Sequence, residues 1–228
     1  MIEPLDAPPA LIDRVHDRLV SAIADGSLPP GERLTQETIA ARLGVSRQPV
    51  SHALQILRRR GLVAEAGKRG LVVAPLDARR LRDLYQVRSA LDGLAARLAA
   101  ARVRAGAVTV AQRTALYGLV AAGKDLAGHG SVADLVAADV TFHSEIHRLS
   151  GNSALAEAVA GEWPHFMRSM GMVLADAGLR RRIWDEHEHI LDGIFTGDPE
   201  AAESAARWHT DQASELTARK LEAVAPRA

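Results

Sequence analysis

Cysteine is absent from the 228 residues, which removes disulfides, thiolate nucleophiles and every cysteine-containing zinc site. Histidine and carboxylate remain as the strong metal ligands. Aromatic residues are scarce, at 4%, and β-branched runs are few while Ala, Leu and Arg abound, a balance that favours helices. No apolar run approaches the roughly 18 residues of a membrane span, and the N-terminus carries Glu3 and Asp6 where a secretory signal would be basic. A cytoplasmic protein with no membrane partner is expected. What is plentiful is apolar surface: 47% hydrophobic residues can furnish a core for each of two ordinary domains. Formal net charge is zero, but its distribution is uneven. Gln36 to Ala74 holds seven basic residues against two acidic, whereas the chain after Pro75 holds 18 against 20. A basic N-terminal face on a neutral chain suits a polyanion bound by one domain.

The spacing over residues 8–75 predicts a small DNA-reading module. Leu11, Val15, Leu19 and Ile23 mark a first helix, closed by Gly26 and the Pro29-Pro30-Gly31 turn. Thr35 can cap a second helix with Ile39, Ala40 and Leu43 inward. Gly44 ends it, and Ser46 caps a third helix with Val50, Ala53, Leu54 and Leu57 inward. A short helix, a tight glycine turn and a serine-capped helix form the helix-turn-helix pattern. Two short strands flank Gly67-Lys68-Arg69-Gly70 and predict a hairpin, the wing of such a module. The first turn of the third helix would enter the major groove, placing Arg47, Gln48, Ser51 and His52 near base edges, with Ser46 near a phosphate. Lys68 and Arg69 would add salt-dependent contacts to the DNA backbone. Arg58, Arg59 and Arg60 at the helix end can instead complement its dipole.

Residues 78–223 show no strand-like alternation. They predict an all-α antiparallel bundle of six helices: 78–104, 108–126, 132–149, 154–174, 179–195 and 199–223. Three of these carry polar residues on their inward faces. Asp139 and His143 share the stripe of Leu135, Val136, Phe142 and Ile146. His187 is centred among Ile183, Trp184, Ile190 and Leu191, and His209 falls among Ala202, Ala205, Ala206, Ala213 and Leu216. Buried imidazoles and a carboxylate are costly unless compensated, and a divalent ion would compensate them. Three imidazoles and one carboxylate suit zinc or nickel, with manganese or iron(II) possible. Glu145, Glu186 and Glu188 lie nearby in sequence, yet the helical wheel turns them away from the four. A metal-dependent hydrolase, which needs a base at the metal, is therefore disfavoured.

The stretch from Gly26 through Pro75, with GSLPPGERL, IAARLGVSRQPV, ALQIL and RRRGLV, resembles the winged helix-turn-helix of the GntR family of bacterial transcription regulators. Many members of that family have Arg-Glu where this chain has Ser51-His52, so an operator sequence does not carry over from them. Residues 80–222 resemble the FCD ligand-binding domain of the FadR subfamily, through YQVRSALDGLAARLAA, DVTFHSEIHRLSGN, EHEHILDGI and a histidine on the final helix. The resemblance implies a homodimeric regulator, commonly a repressor, of a pseudo-palindromic double-stranded operator. It further implies a metal on Asp139, His143, His187 and His209 that helps hold a small organic acid. Arg88 matches the family's early helix arginine and would pair with that acid, unless it serves only as an ion-pair partner of Asp92. Asn152 and Arg168 are weaker candidates for the same effector, and His147 and His189 fall off the metal pattern. A metalloregulator that senses the ion itself would use the same residues.

Overall fold

The helical spacing of Leu11, Val15, Leu19 and Ile23 is realised as α1, Ala10–Ala24. Val15, Leu19 and Ile23 are buried, while Leu11 stays largely exposed at the helix start. Strand β1 (Arg33–Leu34) leads into α2 (Gln36–Leu43), which is capped by the Thr35 hydroxyl accepting from the Thr38 amide. Gly44 ends α2 at φ 64°, a left-handed conformation that a side chain would disfavour. Leu43, expected inward, is exposed at 36%, because the chain leaves the helix there and only Ile39 and Ala40 of α2 are buried. α3 (Arg47–Arg59) buries Val50, Ala53, Leu54 and Leu57. The expected wing is β2 (Val63–Glu65) and β3 (Leu71–Val73), paired antiparallel. β1 adds a third strand on the other side of β3; at two residues it is too short for alternation to show in the sequence.

The structure, a computed structural model, describes residues 10–67 and 70–224. It divides between Leu76 and Asp77 into two compact units. The second unit is entirely helical among its described residues: α4 (Ala78–Arg104), α5 (Val110–His129), α6 (Val132–Ser150), α7 (Ser153–Ala160), α8 (Trp163–Leu174), α9 (Ala177–Phe195) and α10 (Pro199–Val224). Polar caps fix several starts. The Asp77 carboxylate accepts from the Arg79 and Arg80 amides, Thr109 and Ser131 form capping boxes with Gln112 and Asp134, and Asp198 accepts from the Glu200 and Ala201 amides ahead of α10.

The single helix expected over 154–174 is two. Pro164 in a helix interior would remove one backbone hydrogen bond and clash with the preceding turn, so the chain breaks at Gly161-Glu162 and restarts with the proline in the first turn of α8. The bundle core contains Phe142, Phe166, Trp184, Ile190, Leu191 and Ile194, all nearly inaccessible. Where α5 meets α9, a Cβ on Gly123 would stand 2.2 Å from the Trp184 ring, so the absence of a side chain sets how closely these helices approach. No helix among the described residues is long and apolar enough to cross a membrane.

Candidate metal centre and nucleic-acid interface

Between its Ser131 cap and its Gly151 stop, α6 buries Asp139 and His143 one turn apart. α9 adds His187, fully buried, and α10 adds His209. The four converge. His187 Nε2 lies 3.2 Å from His209 Nε2 and 3.3 Å from Asp139 Oδ1, and His143 Nε2 lies 3.7 Å from Asp139 Oδ2. One nitrogen from each histidine falls within 4.8 Å of the other two. The rings are held by packing: Phe142 stacks on His187 at 4.2 Å between centroids, and Trp184 meets His187 edge-on at 4.7 Å.

Two observations fit a cation. His143 Nε2, which faces Asp139, is buried with no hydrogen-bond partner among the described residues, a costly arrangement for a polar atom. The Glu186 carboxylate accepts from His209 Nδ1 at 2.9 Å, which leaves His209 Nε2 as a lone pair aimed at His187. Two nitrogens bound to one tetrahedral zinc stand roughly 3.3 Å apart, close to the spacing seen. Electrostatics favour the same outcome. Burial, and after it the Arg88 charge and the other imidazoles, holds His143 well below its ordinary pKa. Burial with the His209 and Arg88 charges does the same to His187. Both rings are therefore kept neutral, the form that ligates metal. Burial raises the Asp139 carboxyl, an unfavourable position for a carboxylate that a bound ion would relieve.

Arg88 makes the ion pair with Asp92, Nε to Oδ2 at 3.1 Å, with both residues buried. Burial is the largest single influence and opposes both charges, but it is outweighed by Asp92 with Tyr85 and Asp139 for the arginine, which is raised, and by Arg88 with His147 and Thr210 for the aspartate, which is lowered. The guanidinium also lies 5.0 Å from the Trp163 ring and 4.9 Å from that of Phe166. Asp92 further accepts from His147 Nε2 at 2.7 Å and from the Thr210 hydroxyl at 3.1 Å, and stands 3.6 Å from His143 Nδ1. Next to the ligands is a cavity of about 30 Å³ with Arg88, Asp139 and His209 in its wall, room for about two waters.

The structure corrects part of the sequence reading. Glu186 does not point away: it is buried and ties His209 to Arg182, whose Nε donates to it at 2.9 Å. Glu145 and Glu188 do turn outward, paired with Arg148 and Lys124. His147 is buried beside the site as a partner of Asp92, whereas His189 is exposed. Asn152 is the exposed N-cap of α7, its carbonyl accepting from the Ala154 amide. Being spent on that cap, it does not line the cavity. Arg168 is buried on α8 but is not part of the cavity wall either. Asp92 and His147 had a signal in the sequence, each four residues after a residue already singled out, Arg88 and His143.

On α3, Arg47, Gln48 and His52 are exposed and Ser51 is half-buried. Arg47 pairs with Glu37 at 2.6 Å, both well solvated, and such pairs contribute only about 0–1 kcal/mol. Ser51 accepts from Gln36 Nε2 at 3.3 Å, joining α2 to α3. Ser46 occupies the N-cap position, yet its hydroxyl makes no cap hydrogen bond. Arg58 pairs with Glu65 of β2, so it braces the wing against α3. Lys68 and Arg69 lie outside the described residues.

A winged helix-turn-helix joined to an all-α unit defines a class of two-unit transcription regulator. The chain belongs to the GntR family: residues 11–73 match "Bacterial regulatory proteins, gntR family" and residues 83–212 match the FCD domain. It is 34% identical over 196 residues, 86% of this chain and 84% of the relative, to the "Probable D-xylose utilization operon transcriptional repressor" of Paenarthrobacter nicotinovorans. It is 30% identical over 195 residues, 82% of this chain and 87% of the relative, to the "Nta operon transcriptional regulator" of Aminobacter aminovorans. In fold it is similar to E. coli McbR/YncC, with a TM-score of 0.77 at 19% identity, covering 97% of this chain and 100% of that one. These relatives are named as regulators, and the protein is a transcriptional regulator rather than an enzyme.

Proposed function

We propose that the protein is a homodimeric repressor that reads a pseudo-palindromic operator through the first turn of α3, and that a small carboxylate bound at a metal in the FCD unit controls its operator affinity. Asp139, His143, His187 and His209 would hold zinc or nickel, with Arg88 pairing to the acid. The observation that carries this reading is the convergence of one buried carboxylate and three buried imidazoles, from three helices, with the His143 Nε2 that faces them left without a hydrogen-bond partner among the described residues. When bound, the metal supplies a Lewis-acidic position for a carboxylate oxygen. The chain's own part is to keep the His143 and His187 imidazoles neutral, to aim His209 through Glu186 and to anchor Arg88 through Asp92. For DNA, Arg47 and Gln48 have the chemistry to read guanine and adenine edges, while Ser46, Ser51 and His52 are placed for flanking contacts. Lys68 and Arg69 would contribute salt-dependent affinity.

Elemental analysis of untagged protein should find about one divalent ion per chain, and His187→Ala should lose it while keeping its helical circular dichroism. Wild-type protein that takes up neither zinc nor nickel would overturn the metal reading. Operator affinity that follows free metal with no added acid would favour a sensor of the ion itself.

A further inference from the structure

The cavity beside the ligands is chemically lopsided, and we infer that the effector is a monocarboxylate with a short apolar body, not a polyhydroxylated sugar acid or a dicarboxylate. This rests on the metal-and-carboxylate reading above and narrows it. Of the lining residues Arg88 carries the cationic donors, and Asp139 and His209 are two of the four proposed metal ligands. The guanidinium has five N–H donors; Asp92 takes the one on Nε, and the Met170 sulfur weakly accepts one from Nη1 at 3.8 Å. The rest of the wall is Met170, Val173, Leu174, Ile183, Ala213 and Leu216. None of these six side chains can accept or donate a conventional hydrogen bond except the weakly accepting Met170 sulfur.

The two other polar groups in the wall are already engaged. The Tyr85 hydroxyl is 2.9 Å from Ser169 Oγ and receives the Thr217 hydroxyl at 3.5 Å. Glu186 spends one oxygen on His209 and the other on Arg182. A hydroxyl on the body of the acid would therefore have to share acceptors already in use, and one left without a partner is penalised far more than a lost contact. A hydroxyl next to the carboxylate escapes this argument, because it can reach the metal end. A second carboxylate fares worse than a hydroxyl. Among the described residues the lining holds one cationic side chain, Arg88, already paired with Asp92, so a second anion would be buried without a counter-charge of its own. At about 30 Å³ the cavity holds only about two waters, so an acid of even a few carbons requires a wall to move, and Met170 with its three rotatable bonds is the one that can yield.

Three four-carbon acids isolate the chemistry: butanoate, succinate and 2,3,4-trihydroxybutanoate, each titrated calorimetrically into zinc-loaded full-length protein whose zinc content is measured before and after. Butanoate should bind at least tenfold more tightly than either of the others, a difference of about 1.4 kcal/mol. If succinate or the trihydroxy acid binds as tightly as butanoate or more so, the apolar-body inference is wrong while the carboxylate reading stands. If none of the three binds protein that retains its zinc, both fail. Arg88→Lys keeps the charge but not the planar fork; it should weaken butanoate without loss of zinc, and unchanged butanoate affinity in that variant would place the acid elsewhere.

Discussion

At the scale of single residues, Glu186 shows how a helical wheel can mislead. Its position next to His187 turns it roughly 100° from the ligand stripe, and α10 then brings His209 to meet it on that flank. The carboxylate fixes which His209 nitrogen carries the proton, and partners of this kind typically contribute 10- to 100-fold in metal affinity. Glu186→Ala should therefore weaken zinc binding by about that factor, measured by competition with a chelator. Glu186→Gln keeps an acceptor for Nδ1 and should lose less. Equal zinc affinity in Glu186→Ala and wild type would show that the contact is only structural. The four candidate ligands stood out in the sequence because an inward-facing Asp or His contradicts the apolar stripe around it. Asp92 and His147 left only a four-residue spacing as their signal, and what they and Glu186 bond to emerges only when α4, α6, α9 and α10 are packed together.

At the scale of elements, helix positions were legible wherever a cap or glycine stop stood beside periodic leucines, as at Thr35, Gly44, Ser131 and Asp198. The split at Gly161-Glu162 was not, because apolar residues continue across it and Pro164 was the only local sign. Under the proposed function α3 reads the sequence, and its solvated Arg47–Glu37 pair is weak enough for a base to replace the carboxylate. Arg47→Ala should cost roughly 1–3 kcal/mol of operator affinity and relax preference at one position, as measured by fluorescence anisotropy against an operator and its single-base variants. Discrimination that survives the substitution intact would mean that another part of α3 faces the bases.

At the scale of the whole molecule, a regulator is useful only if its two units share a free energy. An effector changes operator affinity by its differential affinity for two conformations, typically 1–3 kcal/mol of coupling, and operator must change effector affinity by the same factor. Butanoate titrated with and without operator DNA should show that reciprocity, and equal affinities in the two titrations would remove the allosteric part of the proposal while leaving DNA binding untouched. The chain also carries its own optical reporter. All three tryptophans, Trp163, Trp184 and Trp208, belong to the FCD unit, and the DNA-reading unit has none. Trp184 touches the His187 ring and Trp163 lies over Arg88, so intrinsic emission from the intact protein on its operator reports the sensor unit alone. Nickel or cobalt, with partly filled d shells, should quench it, whereas closed-shell zinc should leave the intensity largely intact, making metal identity and site occupancy readable without any label.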